Sequence, residues 1–280
     1  MHRTRTHGTA GVVLAGGRSS RMGASKAHLE WHGSTLLYRM TGLLSRAVVG
    51  PIIVVAAPGQ DLPELPETVL VVEDPVEGLG PLQGIAAGLN AAAEHQAHAF
   101  VCSTDMPFLH PAFIQRVLVC MEEAEVSLPV VGGYRQPLAA AYRTELGLRA
   151  TELIEKGAKT PGELFAESIV RELSAEDLLA DEGVAQGDPD LASVRNLNTP
   201  EEYEAALAEE PPVIPVQVWG SGLNQGKYRA ADVRVATLGQ AAAALNFELT
   251  RYVMATLNAE RVTDPQLPLV RGDALAILGG

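Results

Sequence analysis

The chain has 280 residues, of which 47% are hydrophobic and 20% are charged, and its formal net charge is −13. This length suits two domains better than one, and the composition predicts a soluble globular protein. The negative charge argues against nucleic-acid binding, which needs clustered lysine and arginine, and no apolar run is long enough to span a membrane. Because the first residues lack an apolar signal region, we expect a cytoplasmic protein.

Short apolar runs alternate with helix-length segments over the first half of the chain. The predicted strands are 10–15, 51–57, 69–74 and 99–105, and the predicted helices are 34–48 and 82–96. Since the strand runs are almost continuously apolar, we expect strands that are covered on both faces of a mostly parallel α/β sheet. Ser34 is expected to cap the first helix. Ligands of such sheets bind at the carboxyl ends of the strands.

Further elements follow, and Pro211-Pro212 then interrupts the pattern. The first part continues with strands at 126–131 and 135–143, a helix near 144–156 and an acidic helix that begins at Pro200 behind a Thr199 cap. The second part contains strands at 213–220, 228–235, 252–258 and 274–278, and a helix at 237–246. The sequence therefore predicts an α/β domain over 9–207 and a small α+β domain over 213–280.

The strongest motif, LAGGRSSRMGASK at residues 14–26, directly follows the first predicted strand. Gly16 and Gly17 let backbone N–H groups approach a polyphosphate closely, and Arg21 and Lys26 supply positive charge. The spacing is neither that of a P-loop nor that of a dinucleotide-binding fingerprint. A Gly-rich turn with surface bases is the alternative interpretation.

This segment resembles LAGGxSxRMGxxK, the signature of the MobA-like nucleotidyltransferases, whose type member is molybdenum cofactor guanylyltransferase. Four more segments resemble the family in the same order: VVEDPVEGLGPLQG (71–84), CSTDMPFL (102–109), QPLAAAY (136–142) and RNLNTPEEY (195–203). The resemblance covers residues 9–207. It implies a mostly parallel, Rossmann-like sheet of the nucleotidyltransferase type, which is similar to that of the glycosyltransferase A fold.

The resemblance also implies roles for individual residues. Its catalytic residues correspond to Arg21, Lys26 and Asp105. Its Mg²⁺ ligands correspond to Asp105 and Asn198, and Asn196 is expected near the metal or the phosphates. Its nucleotide-binding residues correspond to Leu14, Ala15, Gly16, Gly17, Lys26, Asp74, Gly80, Pro81, Leu82 and Asp105. Mg²⁺ prefers one or two carboxylates together with phosphate oxygens, which suits an aspartate at a strand end. Alternatives are a turn role for Asp74 and a helix-capping role for Asn198.

The implied substrates are GTP and molybdopterin, because residues 14–17 and 80–82 resemble the guanine-using members of the family. GMP would be transferred and pyrophosphate released. Two departures concern the choice of base. Ser25 stands where the family often has an acidic residue, and Val55-Ala56-Ala57 lacks the base-contacting asparagine of some members. An enzyme that uses CTP or another phosphorylated acceptor is the alternative.

The last residues, VMATLNAERVTDPQLPLVRGDALAILGG, resemble the final half of the ThiS- and MoaD-like sulfur carriers, which have a ubiquitin-like β-grasp fold. The resemblance implies an exposed, poorly ordered Gly279-Gly280 tail. An adenylating partner would activate the Gly280 carboxylate for conversion to a thiocarboxylate. Two alternatives stay open: a purely structural appendage, and a carrier for which the large domain is only a targeting partner.

The cysteines and histidines indicate no further site. Cys102 and Cys120 lie in apolar runs without the spacing of metal ligands, which predicts buried, reduced thiols. The seven histidines form no spaced pair of the kind found in metal sites or catalytic triads. His110 is expected to be a loop residue without a catalytic task.

Overall fold

The computed structural model describes residues 8–16, 25–74, 80–220, 229–249 and 253–279. The chain forms two compact units. The large unit contains the described residues up to Pro200 except 30–34, and the small unit contains residues 30–34 together with the described residues from Glu201 onward. The division between the two units falls at the start of the helix Pro200–Leu207. The domain predicted from the sequence, 9–207, instead contains this whole helix.

The strands of the large unit are β1 (Thr9–Leu14), β2 (Ile52–Ala56), β3 (Val69–Glu73), β4 (His98–Ser103), β5 (Val126–Val131), β6 (Tyr134–Arg135), β7 (Ala139–Arg143) and β8 (Val170–Leu173). Its helices are α1 (Leu36–Ala47), α2 (Pro81–Ala93), α3 (Pro111–Val119), α4 (Leu146–Glu155), α5 (Pro161–Ala166), α6 (Ala175–Leu179) and α7 (Glu182–Gly187); α8 (Pro200–Leu207) crosses the division. Short 3-10 helices lie at Lys26–His28 and Ala192–Val194.

In the described part of the large unit, these eight strands form one sheet. Its order is β3-β2-β1-β4-β7-β5-β6, and β8 pairs with β5. Strands β1 to β4 run parallel, whereas β7 is antiparallel to both β4 and β5. The predicted α/β fold with a sheet rich in parallel pairs is therefore confirmed.

Helix α2 covers the middle of this sheet. Its buried Leu82, Ile85 and Leu89 belong to one core with β1, β2 and β4. The close approach of helix and sheet depends on Gly88, because a Cβ atom there would clash with the side chain of Val12. Such contacts fix the carboxyl ends of these strands relative to the N-terminus of α2.

Two local predictions are wrong. Strand β3 is not covered on both faces, since Leu70 and Val71 are 40% and 50% exposed. It pairs only with β2 and lies at the edge of the described sheet. Helix α1 is capped by Thr35 and not by Ser34: the Tyr38 N–H donates to Thr35 Oγ1 at 3.1 Å. An N-cap hydroxyl must accept from a first-turn N–H, and the extended backbone of Thr35 provides that geometry.

The small unit has its own five-stranded sheet among the described residues. Its elements are β9 (Val213–Gly220), β10 (Arg229–Arg234), α9 (Leu238–Ala244), β11 (Val253–Leu257), β12 (Glu260–Val262) and β13 (Leu275–Gly279), and the strand order is β10-β9-β13-β11-β12. Strand β13 lies in the middle, parallel to β9 and antiparallel to β11. Helix α9 contributes to the core of this unit, where Ile214, Leu238 and Ile277 are buried.

The expectation of a free tail is wrong for Gly279. This residue is the last of β13 and is paired in register with Gly220 and Val253, so it belongs to the sheet. A residue between two neighbouring strands has backbone partners that a mobile tail would lack. Gly280 lies outside the described residues. No helix in the described ranges has the length and apolar character needed to cross a bilayer.

Both cysteines are buried free thiols. The Cys102 thiol donates to the Val12 carbonyl oxygen at 3.6 Å. Burial raises the pKa of Cys102 far above its usual range, and the nearby negative charge of Asp105 raises it further. Burial also raises the pKa of Cys120. Both groups are therefore neutral thiols at physiological pH, which agrees with the prediction.

Candidate active site

Four parallel strands end together at one edge of the large sheet. Leu14, the last residue of β1, is in register with Val55 on one side and with Ser103 on the other. Asp74, which follows β3, joins the same edge because its N–H donates to the Ala56 carbonyl at 2.7 Å. Strand β1 lies between β2 and β4, so this edge includes the point at which the order of the strands reverses, where open α/β sheets bind ligands.

The start of the Gly-rich segment is fixed to its neighbours by the backbone. The N–H groups of Ala15 and Gly16 both donate to the Val55 carbonyl, at 2.8 and 3.1 Å. On the other side, the Leu14 carbonyl accepts from the Thr104 N–H at 3.2 Å and from the Thr104 hydroxyl at 3.1 Å. The backbone from Leu14 to Gly16 is therefore held between β2 and the segment after β4.

An ion pair connects the far end of the Gly-rich segment with the segment after β4. Lys26 Nζ lies 2.5 Å from Asp105 Oδ2, and the two side chains are 20% and 15% exposed. The Ser103 hydroxyl donates to the other carboxylate oxygen, Asp105 Oδ1, at 2.5 Å. The Asp105 carbonyl accepts from the Leu197 N–H at 2.9 Å, which brings the loop before α8 to the same place. Two residues 79 positions apart in the sequence thus meet at the carboxyl edge.

The donor chemistry of this cluster fits a divalent cation and phosphate groups. A carboxylate oxygen that accepts one hydrogen bond keeps a further lone pair, so Asp105 can accept from Ser103 and still ligate a metal. In the described residues, no group of three or more His, Cys, Asp or Glu side chains is arranged to hold a metal. Mg²⁺ in nucleotide-dependent enzymes usually takes one or two protein carboxylates and completes its shell with phosphate oxygens and water.

Comparison with known proteins identifies the family. Residues 11–173 match the MobA-like NTP transferase domain family. The chain belongs to this family. The matched residues include the ends of β1, β2, β3 and β4, and they therefore contain the edge where Lys26 and Asp105 meet.

Curated relatives carry a more specific name. The protein of Mycobacterium tuberculosis (strain ATCC 25618 / H37Rv) named "probable molybdenum cofactor guanylyltransferase" is 46% identical over 155 residues, which are 54% of this chain and 75% of that protein. The equally named protein of Mycobacterium avium (strain 104) is 44% identical over 156 residues, or 54% of this chain and 77% of the relative.

Two solved structures share the fold of a large part of this chain. Molybdopterin-guanine dinucleotide biosynthesis protein A from Archaeoglobus fulgidus has a TM-score of 0.55 and 20% identity, with 70% of this chain and 96% of that chain covered. The 2-C-methyl-D-erythritol 4-phosphate cytidylyltransferase from Thermus thermophilus has a TM-score of 0.51, 19% identity and the same coverage. Because the names of these two proteins refer to different bases, the shared fold does not select the base.

The remaining nucleotide-binding candidates of the MobA-like pattern lie around the N-terminus of α2 and the end of β3. Gly80 has a φ of +95°, and a Cβ atom there would lie 2.6 Å from the Lys159 carbonyl oxygen, so both conformation and space require glycine. Pro81 is exposed at the start of the helix. The Leu82 side chain is completely buried in the core, so this residue can offer a nucleotide only its backbone. Asp74 is partly exposed.

The metal candidates follow Asp105 and the loop that binds it. Asn196 and Asn198 are exposed on either side of Leu197, whose N–H binds the Asp105 carbonyl. The backbone thus brings Asn198 close to Asp105, and its role as a ligand stays a prediction. Three further candidates lie outside the described residues: Gly17, Arg21 and Gly280.

Two polar residues at this edge were not predicted. Ser103 binds Asp105, and Gln60 binds the carbonyl of Ala15 at 3.1 Å. Ser103 could have been found as the last residue of a buried strand that ends beside an aspartate. Gln60 stands in a stretch of turn residues without a recognisable motif, so only its position just after a predicted strand could have indicated a role.

His110 has a structural task. Its Nδ1 accepts from the Ala112 N–H at 3.1 Å and so caps α3, and its own N–H donates to the Ser193 hydroxyl at 3.0 Å. Arg195 lies in the same segment as Ser193, in the loop before α8, and its guanidinium lies 4.1 Å from the centre of the Phe108 ring. These contacts hold the loop against the segment that leads into α3.

Proposed function

We propose that this chain is a molybdenum cofactor guanylyltransferase that transfers GMP from GTP to molybdopterin and releases pyrophosphate. The observation that carries the proposal is the pairing of Lys26 with Asp105 beside the Gly-rich segment, in a chain with relatives of that name at 46% identity. A fixed cation and a fixed carboxylate at the carboxyl edge of a parallel sheet are what a triphosphate and its metal require.

In this proposal a phosphate oxygen of the acceptor attacks the α-phosphorus of GTP in line. A new P–O bond forms as the bond between the α-phosphorus and the bridging oxygen breaks, and pyrophosphate leaves. Lys26 and Arg21 neutralise the charge that builds on the phosphoryl oxygens. No side-chain nucleophile is needed, because the phosphate of the acceptor is already ionised at neutral pH. The protein thus acts mainly by positioning and by charge stabilisation.

The divalent cation belongs to the proposal as well. Asp105, with Asn198 near it, would hold Mg²⁺, which supplies Lewis-acid polarisation of the phosphoryl oxygens when bound. Ser103 orients the Asp105 carboxylate, and Lys26 exchanges its contact with Asp105 for one with the phosphates as the nucleotide binds. The Lys26 charge stays paired during this exchange, because a phosphate oxygen replaces the Asp105 carboxylate as its partner.

The nucleotide-binding set consists of Leu14, Ala15, Gly16, Gly17, Lys26, Asp74, Gly80, Pro81, Leu82 and Asp105. Backbone groups have a large share in it, since the side chains of Leu14 and Leu82 belong to the core. Guanine is favoured over cytosine by the names of the relatives at 44% and 46% identity. Use of CTP is the alternative, because the fold is compatible with either base.

The decisive experiment is a nucleotide panel with purified molybdopterin, in which pyrophosphate release and the dinucleotide product are measured. We expect kcat/KM for GTP to exceed that for CTP by at least about tenfold, which corresponds to about 1.4 kcal/mol of differential transition-state binding. Equal or better use of CTP would contradict the guanylyltransferase assignment. Failure with molybdopterin but activity with another phosphorylated acceptor would contradict only the choice of acceptor.

For residues 213–280 we propose a β-grasp domain, fused to a nucleotidyltransferase domain over 9–207. The strand order supports this proposal: numbered within the unit it is 2-1-5-3-4, with the first and last strands parallel in the middle. This arrangement favours, as a second candidate function, a sulfur carrier whose Gly280 carboxylate an adenylating partner activates.

The carrier function has its own test. The intact chain is incubated with an adenylating enzyme, ATP and a sulfur source, and its mass is measured. We expect a gain that corresponds to exchange of one oxygen for one sulfur in the wild-type chain, but not in a variant that lacks Gly279 and Gly280. No gain with an adenylating enzyme that modifies a known carrier would leave the small unit as a structural appendage.

A further inference from the structure

We infer that Gln60 is a positioning residue of the nucleotide site, which fixes both the start of the Gly-rich segment and the 3-10 helix that carries Lys26. The inference deepens the proposed nucleotidyltransferase function and rests on it. Gln60 lies just after β2, in a turn closed by a hydrogen bond from its N–H to the Ala57 carbonyl at 3.0 Å.

The carboxamide of Gln60 connects three segments. Its oxygen accepts from the Ala57 N–H at 2.9 Å, within its own turn. Its nitrogen donates to the Ala15 carbonyl at 3.1 Å and, in a longer contact, to the Ser25 hydroxyl at 3.4 Å. One side chain therefore joins the end of β2 to the residue after β1 and to the residue before Lys26.

The chemistry of these contacts selects a carboxamide. The Ala15 carbonyl and the Ser25 hydroxyl accept hydrogen bonds from the Gln60 side chain, whereas the Ala57 N–H donates one to it. The side chain at position 60 must therefore donate and accept at the same time. The opposite amide orientation would place the oxygen against the Ala15 carbonyl and the nitrogen against the Ala57 N–H. A carboxylate would likewise face the Ala15 carbonyl with an oxygen that cannot donate.

A neighbouring contact strengthens the same connection. His28, in the 3-10 helix that begins at Lys26, has its Nε2 3.1 Å from the Asp61 carbonyl oxygen and 3.3 Å from Asp61 Oδ2. Gln60 and Asp61 thus bind neighbouring parts of one short segment. Since Ser25 immediately precedes Lys26, these contacts restrict where the Lys26 ammonium can reach.

The start of the Gly-rich segment depends on the same residue. Ala15 and Gly16 both donate to the Val55 carbonyl, while the Ala15 carbonyl accepts from Gln60. Gly16 also lies close to the turn, since a Cβ atom there would be 3.0 Å from the Ala57 nitrogen. A shift of this turn would therefore move backbone that the triphosphate is proposed to approach.

The test uses the variant Gln60→Glu, which keeps the size of the side chain and the acceptor for Ala57 but removes the donor for Ala15 and Ser25. The matched control is Gln186→Glu, because Gln186 is exposed on α7 and there donates to Glu182 at 2.9 Å. Both variants add one negative charge to the large unit, and only the first changes the site.

Two readouts separate positioning from a general structural role. Nucleotide affinity is measured by calorimetry without acceptor, and we expect Gln60→Glu to bind about tenfold more weakly than wild type at about pH 8. Backbone hydrogen exchange in peptides that contain Ala15 and Gly16 should be faster in the free variant. Lowering the pH to about 4.5, near the ordinary pKa of glutamate, should restore part of the affinity relative to wild type, because a protonated carboxyl group can again donate to the Ala15 carbonyl.

The probe is whichever of GTP, CTP, ATP and UTP the wild-type protein binds most tightly. If the preferred nucleotide is not GTP, the proposed guanylyltransferase function is wrong. The affinities of wild type and Gln60→Glu are then compared with the preferred nucleotide. Unchanged affinity in Gln60→Glu, with or without a lower unfolding temperature, would overturn the inference. A loss of the same size in Gln186→Glu would overturn it as well, because the cause would then be charge alone.

Discussion

In the large unit, four parallel strands end at one edge, and side chains from distant parts of the sequence meet there, with Lys26 against Asp105. In the small unit, the last strand lies between two neighbours and ends at Gly279, which has no side chain to offer. Parallel strands with crossover connections collect polar groups from several strands at a single edge of the sheet. Transferase activity should therefore respond to single side chains of the large unit and hardly to those of the small one.

The largest effect is expected at the ion pair. Asp105→Ala and Lys26→Ala should each lower turnover by roughly 100-fold or more, because each removes a preorganised charge at the phosphates. Lys156→Ala, at an exposed lysine that follows α4, is the control and should keep wild-type turnover. Steady-state pyrophosphate release measures all three. Near-normal release by Asp105→Ala would remove this carboxylate from the mechanism.

A smaller effect is expected from Gly80→Ala. The φ of +95° costs a residue with a Cβ atom about 1–3 kcal/mol, and the contact with the Lys159 carbonyl adds to it. Gly59→Ala is a matched control, because Gly59 has a φ of +66° and nothing within 4 Å of the added Cβ. Urea unfolding of both variants compares the loss at a crowded glycine of positive φ with the loss at one that faces open space. Equal losses would mean that the N-terminus of α2 moves away from Lys159 without a penalty.

The variant Ile277→Val, in the core of the small unit, tests whether the stability of the small unit affects transferase activity. Ile277 is completely buried, and loss of one methylene there should cost about 0.5–1.5 kcal/mol. We expect this loss in the unfolding transition of the small unit, with transferase activity within about twofold of wild type. A fall in activity that follows the loss of stability would show that the two units are energetically coupled.

The smallest effect concerns the pH dependence of stability. Burial raises the pKa of Asp188 above its usual value, although its carboxylate accepts from the N–H groups of Ala192 and Ser193. The folded state therefore holds this proton more tightly than the unfolded state. Its contribution to the free energy of unfolding is fully present below the unfolded pKa and is lost as the pH rises through the higher folded pKa.

Asp188→Asn removes this titration. We compare the free energies of unfolding of wild type and variant at each pH. The difference, wild type minus variant, should fall as the pH rises from about 4 to about 7. Chemical unfolding at several pH values measures the difference. A difference that rises with pH would mean that the two N–H donors, and not burial, determine the protonation of Asp188.

The sequence predicted the fold where local pattern and tertiary context agree. The runs that became β1, β2 and β4 are apolar, and they are buried in the middle of the sheet. The run 69–73 is also largely apolar, yet β3 is an edge strand with exposed Leu70 and Val71. Strand order decides this difference, and strand order is a property of the whole chain that composition alone cannot reveal.

The candidate site was predictable as far as it rests on motifs. Lys26 and Asp105 stand in recognisable segments, and the structure brings them into contact. Gln60 and the Lys159 carbonyl were not predictable, because each meets a partner far away in the sequence and neither belongs to a motif. For Leu82 the motif identified the segment but not the burial of its side chain in the core.

The burial of both cysteines has a practical consequence for spectroscopy. Thiol-reactive dyes attack exposed thiolates, so native Cys102 and Cys120 should stay unlabelled in the folded protein. A single cysteine placed at an exposed position, such as Tyr134→Cys at the tip of the β5–β6 hairpin, would then take up one fluorophore without removal of either native cysteine. The fluorescence would then come from that hairpin alone, without a contribution from the native cysteines.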